Sequence, residues 1–540
     1  MTQRQLLQVL EEYLKGRMHF VQTMSELASR GQNMKMLKNA NVMALLQPLM
    51  LDVDPSVQQI ATQALGRLVG HSEEMAKELV QGEVLPQIVN SLPKHNNYYK
   101  KAATLVLRSV AKHSATLAKA VVDCGTLDSL MICLDEFDPG VKESAIWVLC
   151  HVARHNEDLA QAVVDAGAVP FLVLSMQEPE IALRRVAVSA LSDISKHSME
   201  LAHIVAETGT IAILAQMILN PDTKLKRQVF SVLSQIGKHS VDLAELVVEA
   251  EVFPTVFICL QDPDEVVRKN VAILVCEIAK HTSELSQLIV NAGALPALVD
   301  FIGENEGSVR LPAVMALGYI AAHAETLATA VIMSLGIPQL TQVLSNEAEE
   351  NYVRAATAWS LGQIGGHSSE HAVAVAGENV LPKLLQIYTS PDSSDDFQNK
   401  AKNALKNILQ KCVHLPALEP LLRDSPQNIL KHVVIQYSKI LLSWVLGGLA
   451  GKDGEIQSHV LTSRTSFNDK CDIFNKEVIF SVPPSLLPKS PMSFQTSLRA
   501  LCLQNSLQLP VANPQGALIK ADAQNKRRRG EGKGGNRGFI

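Results

Sequence analysis

A chain of 540 residues with 47% apolar and 19% charged residues can bury a large core. Residues 441–540 carry 13 Lys+Arg against 7 Asp+Glu, so a whole-chain charge of −5 leaves residues 1–440 at −11. That acidity disfavours nucleic acid and anionic membrane, whose phosphates demand clustered cations, and suits basic protein partners better. None of the eight cysteines forms a Cys-x-x-Cys pair, and five lie in apolar helical text, which predicts buried thiols of a reducing compartment. Met1–Leu10 lacks an apolar signal core, and the apolar run Ile440–Ala450 is too short to span a bilayer. A soluble, intracellular protein is expected.

In chain order, residues 1–30 predict an amphipathic N-terminal cap whose Leu6, Leu7, Leu10, Leu14 and Phe20 cover the first repeat's open face. Residues 31–440 then obey one beat. His71, His113, His155, His197, His239, His281 and His323 recur every 42 residues, and His367 comes after 44. Within residues 156–197, Asp158–Ala166 predicts a short helix closed by Gly167. Pro170 predicts the start of a second short helix, and Ile181–Lys196 a longer third with apolar residues at three- and four-residue spacing. Gly125, Gly167, Gly209 and Gly293 share one register position, where Glu251 stands in one repeat and implies a different cap. Three helices per 42 residues is the armadillo plan. The expected fold is therefore all-α: about nine to ten armadillo repeats in a right-handed superhelical solenoid, with an irregular tail over 441–540.

Such a rod presents surface rather than a cleft. Its histidines lie about a helix diameter apart, too far to converge on one metal ion. Each ends a long helix, where an imidazole can donate to unpaired carbonyls or ease the helix dipole. No nucleophile elbow, phosphate-binding loop or metal motif is present, so neither enzymatic activity nor a cofactor is expected. Positions 12, 8 and 4 before each histidine share one face of the long helix, the face that would line a concave groove. On it, Trp147, Arg185, Arg227, Lys269, Tyr319, Trp359, Asn403 and Asn407 are candidate protein-binding residues, because aromatic and Arg side chains dominate hot spots. The two tryptophans could equally pack at repeat junctions. A basic row 13 before the histidines (Lys100, Lys142, Arg184, Lys226, Arg268, Arg310, Arg354) predicts recurrent ties within the fold.

The segments 121–143 (VVDCGTLDSLMICLDEFDPGVKE), 216–226 (QMILNPDTKLK), 241–251 (VDLAELVVEAE) and 415–422 (LPALEPLL) closely resemble the sperm-associated antigen six family of axonemal armadillo proteins. The likeness covers about residues 1–440 and runs through loops as well as core positions. It implies a scaffold of the central apparatus of motile cilia and sperm flagella, needed for motility and resident in the cytoskeleton. The implied partners are central-apparatus proteins and, mainly through them, microtubules. A local stripe of Lys226, Arg227, Arg268 and Lys269 is the alternative route to a microtubule. No small-molecule substrate, nucleic acid or membrane partner is implied. A cargo adaptor of the importin-alpha type is the competing reading. It would need a ladder of Asn with Trp one turn earlier, whereas these positions read Arg67, Ser109, His151, Asp193, Gln235, Glu277, Tyr319 and Gln363. Only Asn407 matches, with Asn403 in place of Trp.

After Lys439 the repeat grammar fails, and Pro, Gly, Ser and Asn punctuate residues 441–540. That change of text and of charge sign points to an alternative or wrongly joined tail. Lys526–Arg529 reads as a solvated basic patch, and Ile440, Leu441, Leu442, Trp444 and Val445 would have to seal the last repeat.

Overall fold

A computed structural model describes residues 3–446. The chain divides into two compact units, Met1–Cys412 and Val413–Ile540. Among the described residues every regular element is helical.

In the first unit, among the described residues, ten long helices stack side by side, each packed on the next. They are α1 (Gln3–Leu27), α2 (Pro55–Val69), α3 (Asn97–Ala111), α4 (Pro139–Ala153), α5 (Ile181–Ser195), α6 (Thr223–Gly237), α7 (Glu265–Ala279), α8 (Gly307–His323), α9 (Asn351–Ile364) and α10 (Asp395–Leu409). Two shorter helices precede each of α2 to α10, as Glu157–Asp165 and Ala168–Ser175 precede α5. The result is an all-α armadillo solenoid of nine three-helix repeats ending at Leu409. In the second unit, helix Leu415–Asp424 packs on helix Gln427–Leu446. The expectations for Lys526–Arg529, for most of the 441–540 tail, and for the side chains of Leu6, Leu441, Leu442, Trp444 and Val445 lie outside the described residues.

Each repeat folds locally for the same reasons. Asp54, Asn96, Asp138, Asp222, Asp264 and Ser394 precede long helices and accept from the first free backbone amides. The two short helices of the fourth repeat meet at 83°, across Gly167 at φ 80°. The same left-handed step recurs at Asn41, Glu83, Gly125, Gly209, Glu251, Gly293, Leu335 and Asn379, one per repeat. Glu251 therefore uses no other cap: it sits at φ 52°, in the conformation that glycine adopts elsewhere. Pro170 does not start its helix either, since that helix begins at Ala168. Its missing amide falls within the first turn, where no helical partner is needed.

The solenoid core is made by apolar residues of the long helices, such as Val106, Leu107, Val148, Leu149, Leu191, Ile194, Leu233 and Ile236, all fully buried. Between His323 and His367 the extra two residues are absorbed by the longer second helix Gly336–Ser345 and the loop after it.

The N-terminal cap differs from expectation. Arg67 on α2 donates to the Ser25 carbonyl at 2.6 Å, 42 residues back, so the second half of α1 occupies a long-helix register. Val21 and Ser25 are buried there, and Phe20 is half-buried. The first half of α1 overhangs α2, whose register begins only at Pro55, and Leu7, Leu10 and Leu14 stay about half exposed rather than covering the first repeat.

Candidate protein-binding surface

The recurrent histidines tie repeats together. The Nε2 atoms of His113, His155, His197, His239, His281, His323 and His367 lie 2.5–2.8 Å from backbone carbonyls 44 or 46 residues earlier. These carbonyls end the preceding long helix, as Ala153 ends α4, and would otherwise be orphan acceptors. The acceptor thus belongs to the neighbouring helix, not to the histidine's own. Burial depresses the His197 and His239 pKa values, so these two imidazoles are held neutral and donate through Nε2. No group of three or more His, Cys, Asp or Glu able to hold a metal occurs among the described residues.

The basic row 13 before the histidines is likewise internal. Lys100 pairs with Glu136, Lys226 with Asp262, and Lys142 with Glu178 at 2.8 Å. Arg310 and Glu349 form the most buried pair at 3.0 Å, with side chains 9% and 3% exposed. Arg184 donates to the Glu178 carbonyl, Arg268 to Asn305 Oδ1 at 2.9 Å, and Arg354 to the Leu344 carbonyl at 3.1 Å.

One position later, the candidate cations reach to the start of the next long helix. Arg185 donates to Asp222 Oδ1 at 2.7 Å and Arg227 to Asp264 Oδ1 at 2.9 Å. Asp222 and Asp264 are themselves the caps of α6 and α7, so each guanidinium clamps its neighbour's N-terminus. These pairings lower both carboxyl pKa values. Lys269 donates to Ser308 Oγ at 3.1 Å. The stripe of Lys226, Arg227, Arg268 and Lys269 is therefore engaged between repeats instead of standing free for a microtubule. Its partners lie 36–39 residues away, beyond any local pattern.

The aromatic candidates are half-buried. Trp147 stacks on His151 with centroids 5.9 Å apart and carries the Arg108 guanidinium 5.7 Å from its ring, while its indole N–H reaches Glu143 at 3.4 Å. Trp359 meets Tyr319 edge-on at 4.9 Å. It also covers Gly318, where a Cβ would come within 2.4 Å of the ring, so Trp359 is in part a junction residue. Asn403 is exposed and Asn407 half-buried on α10. The eight candidates lie on successive long helices of one layer rather than converging on a pocket. Cys133 is pushed up to about 11, and Cys150 and Cys276 to about 12, by burial, which suppresses the thiolates a nucleophile requires.

One row escaped the sequence reading. The residue just before the histidine is Lys112, Arg154, Lys196, Lys238 and Lys280 in five successive repeats. Each caps the C-terminus of its long helix, and its regularity at the 42-residue period was the available signal. Arg154 and Lys196 share Asp193 at 3.1 and 2.9 Å, and Lys280 pairs with Glu277. Lys238 donates to the Lys196 carbonyl at 2.9 Å.

The family model of the armadillo/beta-catenin-like repeat matches residues 156–196 and 282–322, and that of the HEAT repeat matches 252–282. Sperm-associated antigen 6 of Mus musculus is 63% identical over 103 residues, 19% of this chain and 20% of that protein. The Homo sapiens protein of the same name is 61% identical over 103 residues, with the same coverage. The matched stretch thus spans a fifth of either relative's length. The crystal structure of an engineered protein superposes with a TM-score of 0.67 at 22% identity, covering 79% of this chain and 98% of that one, a likeness of fold.

Proposed function

We propose that this chain is a non-enzymatic scaffold of the axonemal central apparatus in motile cilia and sperm flagella. It works by binding other proteins along the long-helix layer of its solenoid. The supporting observation is the 63% identity to mouse sperm-associated antigen 6, far above the level that shared repeat periodicity requires. The architecture supports the same reading. Its recurrent polar side chains are used to hold neighbouring repeats, and among the described residues the thiols of Cys133, Cys150, Cys259, Cys276 and Cys412 are buried, which leaves extended surface as the working part.

On this reading Trp147, Tyr319 and Trp359 supply apolar anchors, Asn403 and Asn407 hydrogen bonds, and Arg185, Arg227 and Lys269 chiefly rigidify the platform. Attachment to microtubules runs through partner proteins. The test is to tag the chain in ciliated cells and track it through detergent extraction of axonemes, with crosslinking mass spectrometry of the extracted skeletons. Retention in the axoneme, with crosslinks from central-apparatus proteins to the long helices, is expected. Complete release with the soluble fraction, or import of nuclear-localisation peptides competed by free signal, overturns it.

A further inference from the structure

The residues preceding the histidines form more than a series of helix ends. Lys112, Arg154, Lys196, Lys238 and Lys280 occupy equivalent positions on α3 to α7, so they stand about 10 Å apart along the stack, one helix spacing per repeat. Contacts run unbroken between three of them: Arg154 to Asp193 to Lys196, then Lys196 to Lys238. Arg108, over Trp147, adds a sixth cation at the Lys112 end.

Three carboxylates, Glu143, Asp193 and Glu277, lie in this line, so its six cations leave a local excess of +3. Among the described residues no carboxylate lies within ion-pair distance of Arg108, Lys112 or Lys238. Burial lowers the pKa of all three, so their charge is held where the protein disfavours it. His151, between Arg108 and Arg154, is depressed to about 4 by burial and these neighbours, and adds neither charge nor compensation at neutral pH. The end of a long helix favours one cation through its dipole. It does not account for Arg108, Lys112 and Lys238 standing without an ion-paired carboxylate in a region whose net charge is −11.

We infer that this line is a docking groove for an extended acidic peptide segment of a partner protein, with Trp147 as its apolar anchor. The inference rests on the reading of the array as a protein-binding scaffold and gives that scaffold a ligand chemistry. An extended chain rises about 3.3 Å per residue, so carboxylates at every third position meet cations about 10 Å apart. Five cations span about 40 Å, the reach of roughly 13 residues. The spacing favours polypeptide over nucleic acid. A phosphodiester strand places a charge about every 3.4 Å and would press phosphates against Asp193 and Glu277. The groove is thus opposite in sign to the repeat region around it.

The test uses the full chain and a fluorescein-labelled 15-residue peptide with Glu at every third position, spaced by Ser and Gly. Its Gln counterpart, a Lys counterpart and a single-stranded oligonucleotide serve as comparisons. Fluorescence anisotropy in 50 and 150 mM salt is expected to show the Glu peptide binding at least tenfold tighter than the Gln or Lys peptide. Affinity should weaken at the higher salt. The pair Lys112→Glu and Lys238→Glu should weaken binding at least tenfold, whereas Lys119→Glu, on the outer helix Ala115–Asp123, should leave it unchanged. If the paired reversal lowers helicity, Lys112→Gln with Lys238→Gln replaces it, with a loss of at least threefold expected. Equal binding of Gln and Glu peptides, insensitivity to the Lys112 and Lys238 variants, or preference for the oligonucleotide overturns the proposal. Axonemal retention could still hold in that case, so failure here is distinct from failure of the scaffold reading.

Discussion

His197→Ala isolates the contact that recurs most often along the rod. The substitution removes the 2.7 Å bond from Nε2 to the Ala153 carbonyl and leaves the last turn of α4 without its partner from the next repeat. A hydrogen bond of this kind contributes a net of about 1 kcal/mol, and a partly desolvated carbonyl left unpaired costs up to about 1 kcal/mol more. A local loss of about 1–2 kcal/mol corresponds to roughly 5- to 30-fold faster opening. Solenoid stability is a sum of repeat and interface contributions, so the effect should stay near the broken interface. Native-state hydrogen exchange by mass spectrometry reads this directly: faster exchange in α4 and α5, none in α9 or α10. His197→Gln, which keeps a donor, should recover part of the protection, and His19→Ala, on an exposed turn of α1, should change nothing. Unchanged exchange across α4 and α5, or a uniform rise along the whole array, would refute the idea that these imidazoles staple adjacent repeats.

Individual contacts elsewhere carry their own expected outcomes. Glu349→Ala leaves Arg310 charged and buried and also strips an acceptor from the Gly307 amide, bound at 2.9 Å. It should cost about 3–5 kcal/mol in urea unfolding of the surrounding repeats. Gly362→Ala would place a Cβ 2.8 Å from Ala404 Cα on the neighbouring helix. The forced separation of α9 and α10 should cost about 1–3 kcal/mol, seen as a lower thermal midpoint. Leu335→Gly should act in the opposite sense, raising that midpoint by relieving an exposed leucine held at φ 61°, a gain of about 1 kcal/mol. For acid sensitivity, burial lowers the His151 pKa to about 4 and lowers those of His197 and His239. The unfolded chain, with histidine near about 6.5, binds more protons than the folded one. The stability from neutral imidazoles is therefore present above about pH 6.5 and is lost as pH falls toward 4. Urea midpoints at pH 7 and 5 should diverge more for the wild type than for His151→Gln; an equal divergence would contradict the assignment.

Much of the architecture is legible without coordinates because each repeat writes its own local instructions. A cap such as Asp222, a left-handed step such as Gly209 and apolar residues at helical spacing act over four residues or fewer. Repetition at 42 residues then makes all repeats equivalent, and an α-solenoid is the way for identical one-sided units to bury their apolar faces. The internal role of the basic row from Lys100 to Arg354 was readable in the same way. What a period cannot encode is the direction in which a side chain crosses to its neighbour. Only the tertiary structure decided that His197 reaches the preceding helix while Arg185 reaches the following one. It also decided that Glu251 bends like a glycine and that the first turns of α1 overhang. Finally, it separated the spent charges, Arg227 among them, from Lys112 and Lys238, which among the described residues have no carboxylate within ion-pair distance. Those distinctions join residues 36–46 apart in the chain, where packing geometry rather than local preference sets the energy.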